Sequence, residues 1–186
     1  MANICNNIIV LEGSIPGRKR ISEALHALQP SVRLVTLTEF AEKLGAPCGT
    51  GVLNLLKRGE ITDFIESDDD IIIYSDTAWN PTVGYWKFIC SELNLSYSLK
   101  AEEPNCRVFQ IYNDPNESRF PENWYLDVWD DNESDISIDT CYFSKAEDVL
   151  SYLNDGADEK HTIDEWIEIF NEEGFAILGQ FERVNA

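Results

Sequence analysis

The sequence predicts an α+β protein whose sheet is largely antiparallel, with helices packed on one face. Three observations carry that expectation. Short β-branched and aromatic segments lie at hairpin distances from one another, notably Leu95 to Ala101 and Cys106 to Tyr112 around a loop with Pro104 and Asn105. Helical segments with recognisable start and stop residues are interspersed with them. The 186 residues are 44% apolar and 11% aromatic, enough to bury a core rather than stay disordered. The length favours one domain over residues 1–186, and a composition shift near Phe120 marks off an acidic α/β C-terminal extension of about residues 120–186.

Taken in order, Cys5 to Leu11 is apolar and β-branched enough for a strand. Pro16 with Ile21, Leu25 and Leu28 gives helical spacing up to Pro30, so the chain opens strand, loop, helix. Val32 to Leu37 reads as a short strand, with Thr38 as the N-cap of a helix that Gly45 stops. Val52, Leu53 and Leu56, then Ile61, Phe64 and Ile65, are spaced as two short helices broken at Gly59. After Asp68, Asp69 and Asp70, the apolar run Ile71 to Tyr74 suits a central strand. Asn80 and Pro81 supply an N-cap acceptor and a preorganised first helical residue, ahead of a buried face of Tyr85, Phe88, Ile89 and Leu93. Asn123 to Trp129 and Ile136 to Phe143 read as strands. Ser144 with Glu147, and Thr162 with Glu165, are S/T-x-x-E capping boxes that start two helices. Ile163, Trp166, Ile167 and Phe170 form an apolar stripe ended by Gly174, and Phe175 to Val184 reads as a last strand.

Charge narrows the function classes. There are 34 Asp and Glu against 14 Lys and Arg, a net charge of −20; the chain through Glu60 has seven basic and five acidic residues, the rest seven and 29. Such a field repels nucleic acid and anionic membrane and attracts basic partners or cations. The five cysteines are widely spaced without a C-x-x-C pair, as expected of free thiols in a reducing cytosol. With no signal-like N-terminus and no run of roughly 20 apolar residues, a cytoplasmic location is expected.

No catalytic motif stands out. Gly13-Ser-Ile-Pro-Gly17-Arg18-Lys19-Arg20 lies where a phosphate loop would lie, but Arg18 replaces the Gly before the Lys, and Arg20 replaces the magnesium-holding hydroxyl. Arg18, Lys19 and Arg20 remain as a candidate anion contact. Asp130 to Asp135 lacks the Gly of a calcium loop, and His26 and His161 lack zinc-hydrolase spacing, so no metal or cofactor is expected. Two sets of side chains are candidate surfaces. One is acidic: Asp164, Glu165, Glu168 and Glu172 on the last helix, with Asp127, Asp130, Asp131, Asp135 and Asp139 on or between the preceding strands. The helical carboxylates recur at about 6 Å, close to the repeat of backbone phosphates. Asp135 and Asp139 are expected on one strand face, with Asp127 on a neighbour. The other is aromatic: Trp79, Trp86, Trp124 and Trp129 as the walls of a groove.

Asp76-Thr-Ala-Trp-Asn-Pro81 resembles the D-T-A-W-S-P-P segment of the YubB-like ferredoxin-fold family of plasmids, phages and other mobile elements. Asn3, Cys5, Asn7, Ile9 and Gly13 are similar to that family's N-W-C-x-N-x-L-x-I-x-G opening, with Ile4 where Trp is usual, one extra residue before Gly13 and a single Pro after Asn80. The two matches bracket residues 1 to about 115. The resemblance implies a ferredoxin-like core there and a mobile-element origin; it implies no reaction and no catalytic residues. The expected function is non-enzymatic binding of a protein partner, with two alternatives: a DNA mimic that blocks a host nucleic-acid-binding protein, and a hydrolase-like enzyme assembled in space.

Overall fold

The computed structural model describes residues 4–45, 59–104, 107–114, 116–129 and 137–185. The chain divides into two compact units, one of Met1–Pro115 with Arg183–Ala186, the other of Asn116–Glu182. It is α+β, with five α-helices among the described residues.

In the first unit, strand β4 (Asp70–Ala78) alternates half-exposed and buried residues without a break, as a strand with one face on a core must. It lies antiparallel between β1 (Ile4–Gly13) and β3 (Gly59–Glu66). β5 (Leu95–Glu103) pairs with the other side of β1 and with β6 (Val108–Tyr112), and β2 (Val35–Thr36) with β3, all antiparallel. With β10 (Glu182–Val184) beside β6, the order is β10-β6-β5-β1-β4-β3-β2. Helices α1 (Ile15–Leu28), α2 (Leu37–Lys43) and α3 (Val83–Leu93) bring Ile21, Leu25, Phe40, Trp86 and Ile89 into one core with Ile9, Leu11, Ile61, Ile73 and Leu99. Gly17 is where α1 meets the end of α3: a Cβ there would lie 2.3 Å from the Leu93 carbonyl oxygen.

The second unit is a three-stranded antiparallel sheet in the order β8-β7-β9, from β7 (Trp124–Trp129), β8 (Ser137–Phe143) and β9 (Ala176–Gln180). Helices α4 (Ala146–Leu153) and α5 (Ile163–Glu173) supply Val149 and Phe170 to a core with Leu126, Ala176 and Leu178. Among the described residues no helix is long and apolar enough to cross a membrane.

Five elements differ from expectation. Residues 59–66 form a strand, not a helix: a bulge between Ile61 and Asp63 spaces the inward residues Ile61 and Phe64 three apart, which imitates helical periodicity. The proposed helix at Val52 to Leu56 lies outside the described residues. α2 is capped by Thr36 rather than Thr38, in a reciprocal box with Glu39. α3 starts at Val83 and not at Pro81, because Asn80 is committed to a turn described below. α4 has no side-chain cap; the Ser144 carbonyl is taken by Asn123 Nδ2 at 3.1 Å, and the helix begins after Lys145. The segment after Phe175 is two strands in two sheets rather than one.

Candidate functional site

The N-terminal Gly and Arg residues are explained first by packing. Ser14 caps α1, accepting from the Gly17 amide at 3.2 Å and donating to the Leu93 carbonyl at 3.0 Å, so the first turn is closed by the end of α3. The three cations then diverge. Arg18 donates to the Gly13 carbonyl at 3.3 Å and to that of Asp68; Arg20 turns to the Leu44 carbonyl at the end of α2; Lys19 stays exposed, 3.8 Å from Glu23. Arg18 and Lys19 line an open cleft of about 320 Å³ with Ser22, Glu66, Ser67 and Asp68, while Arg20 is not among its lining residues. Burial alone would raise the Glu66 pKa; bonds from Ser22 and from His26, at 2.9 Å, outweigh it and hold the carboxyl below its ordinary value. A cleft with two carboxylates facing two cations is no concentrated anion site.

The aromatic set does not form one groove. Trp86 is fully buried against Phe40 and Tyr85, so it presents nothing to solvent. Trp124 packs on the core of the second unit, and Trp129 donates to Asp127 at 2.6 Å. Only Trp79 is substantially open, at 44% exposure. It sits at φ +73° with the Asn80 amide donating to the Ala78 carbonyl at 2.9 Å, a strained three-residue γ-turn. Thr77 holds the turn from behind by donating to the Asn80 carbonyl at 2.9 Å. Asn7, which sequence reasoning did not single out for a role, holds Thr77: its buried amide donates to Thr77 Oγ1 and the Ser75 carbonyl, both at 3.0 Å, and to the Cys5 carbonyl at 2.8 Å. Its signal was its place opposite Ser75 on an inward strand position, where an amide must find partners.

The acidic set splits. Asp130, Asp131 and Asp135 lie outside the described residues. Asp127 is not a surface group: it is fully buried, accepting from Thr140 at 2.9 Å and from Trp129. Nor does it share a face with Asp139, because Asp127 pairs with Thr140 whereas Asp139 stands opposite Val128. Asp139 is exposed, beside Cys141. On α5 the expectation and the geometry coincide. Asp164, Glu165, Glu168 and Glu172 are all exposed, and Trp166, Ile167 and Phe170 turn the other way, Trp166 stacked on Phe170 at 5.4 Å. Glu165 closes the capping box, accepting from the Thr162 amide at 2.7 Å and hydroxyl at 2.9 Å, which hold its pKa below the usual carboxylate value. Asp164, Glu168 and Glu172 are left as a row one helical turn apart, on a helix without Lys or Arg. Comparison of the chain with protein-family models, with curated proteins and with solved structures finds no match in any of the three.

Proposed function

We propose that the protein acts without catalysis, by holding a basic protein partner on the acidic face of α5. The single observation behind this is the exposed row Asp164, Glu168 and Glu172, set by the burial of Trp166 and Phe170 on the opposite side. Like charges at that spacing cost an isolated helix roughly 0.2–0.5 kcal/mol per pair, and no cation on the helix relieves them. A basic surface would relieve them. A spacing near that of phosphates favours a partner that itself binds nucleic acid, so the row would act as a DNA mimic.

For the first unit we propose a ferredoxin-like core of the YubB-like kind, carried by a mobile element. Its support is the β-α-β-β-α-β path through β1, α1, β3, β4, α3 and β5, whose strands lie in the order β5-β1-β4-β3. The Asn7 and Thr77 side chains of the two resembling segments bond to each other.

Affinity capture on the immobilised protein tests the binding role. Basic proteins are expected to be retained, released by moderate salt and displaced by duplex DNA. The combined variant Asp164→Asn, Glu168→Gln and Glu172→Gln should lower their affinity at least tenfold. Unchanged capture by the variant would make α5 a solvated face and nothing more.

A further inference from the structure

Register places the outward side chains of three central strands of the first unit in rows. Ile65, Ile72 and Val10 are neighbours across β3, β4 and β1; below them come Asp63, Tyr74 and Ile8, and then Glu60, Asp76 and Asn6. Exposure rises across the rows, from 4% at Val10 through half-buried Ile8, Ile72 and Tyr74 to 52% at Ile65. The result is a part-open apolar strip with carboxylates along one end.

The charge on these three strands has one sign, and the nearest cation in register, Lys100 opposite Ile8 on β5, is buried and paired with Glu102 at 2.8 Å. β1, β3 and β4 contain no Lys or Arg at all. Glu60 and Asp76 stand directly opposite each other, an arrangement that like charges disfavour. Neither they nor Asp63 form an ion pair among the described residues, and burial lifts the Asp76 pKa above its ordinary value.

We propose that this strip docks a basic amphipathic helix of a protein partner, its apolar side over Ile8, Ile65, Ile72 and Tyr74 and its Lys or Arg side chains on Glu60, Asp63 and Asp76. Width selects a helix: three strands span about 10 Å at their usual spacing, close to the roughly 10–12 Å diameter of a helix with side chains. Charge selects a basic one. A second copy would set these carboxylates against each other, and nucleic acid or anionic lipid would be repelled. The strip rests on the binding role proposed above for the sign of its partner, and adds to α5 a surface in the other unit.

Amide NMR of the full chain, titrated with an 18-residue peptide of Leu and Lys patterned as an amphipathic helix, tests it. A Leu and Glu peptide of the same pattern and an unpatterned Leu and Lys peptide are the controls. Only the patterned basic peptide should shift amides of β1, β3 and β4. Asp63→Lys with Ile65→Lys should weaken it at least tenfold, and the α5 amide variant should not. If the lysines disturb the sheet, Asp63→Asn with Ile65→Ser replaces them, both sites being exposed. Shifts confined to α5, equal binding of the unpatterned peptide, or binding indifferent to the β3 changes would each overturn the proposal. Unchanged capture by the α5 variant would overturn the role of α5, whereas only the peptide titration and the β3 changes decide the strip.

Discussion

The two units divide the protein's charge and its apolar burial unequally. Residues 116–182 hold 19 acidic side chains against three basic ones, −16, while the remainder holds 15 against 11, −4. The first unit buries large side chains completely, among them Trp86, Phe40, Ile9 and Leu99; the buried cluster around α4 and α5 is five residues, ringed by half-buried ones such as Trp166 and Ile167. Burial scales with stabilisation at roughly 25 cal/mol per Å² of apolar surface, so the first unit has the larger reserve and the second works against more repulsion. Acidity in this protein is thus the property of one unit, not of the chain.

Matched tryptophan truncations probe that contrast most strongly. Trp86→Ala should destabilise the first unit by about 3–5 kcal/mol, read as faster hydrogen exchange in β1, β4 and β5. Trp166→Ala, at a half-buried site, should cost roughly half as much in the second unit. Equal losses would mean that the two cores are equivalent. Alkali should act next, chiefly on the first unit, where the two buried thiols lie. Burial pushes the Cys5 thiol from 9.0 to about 12 against the opposing Thr77 bond, and burial pushes Cys90 equally far. Both stay protonated when folded while the unfolded chain ionises, so stability is held below about pH 9 and lost as pH climbs toward 12. Urea midpoints between those limits should fall, less steeply in Cys90→Ala; a flat profile would show that neither thiol resists ionisation. Salt should have the smallest effect. Sodium chloride should raise the melting temperature by a few degrees by screening the second unit. A steady fall would place specific ion pairs above repulsion.

How much of this was legible in the sequence depended on the range of each interaction. The Thr162 and Glu165 box lies within one turn, and the pair found each other as their spacing predicts. So did the exposed side of α5, since a helical period reports its own amphipathicity. Strand β3 has the sequence pattern of a helix because the bulge at Ile61 converts a period of two into one of three, and a bulge is set by the partner strand. Trp86 and Asp127 are buried although the sequence suggests surface positions, because residue type alone does not say which face of an element is covered. The Asn7 and Thr77 bond joins residues 70 positions apart. The rows on β3, β4 and β1 likewise exist only once register is known.

The path of the chain between β6 and β10 has a consequence of its own. Having completed β6, the chain departs, forms the whole second unit and re-enters the same sheet as the next strand along, where the Asn113 amide donates to the Val184 carbonyl at 2.9 Å. Topologically, residues 116–182 are an elaborate loop within an interrupted strand pair. Both ends of such a loop are moored to neighbouring strands, so it can be lengthened, exchanged or removed while the host sheet keeps its order. The acidic unit is therefore positioned to diversify as a cassette, at a rate of its own, on a scaffold that need not change with it.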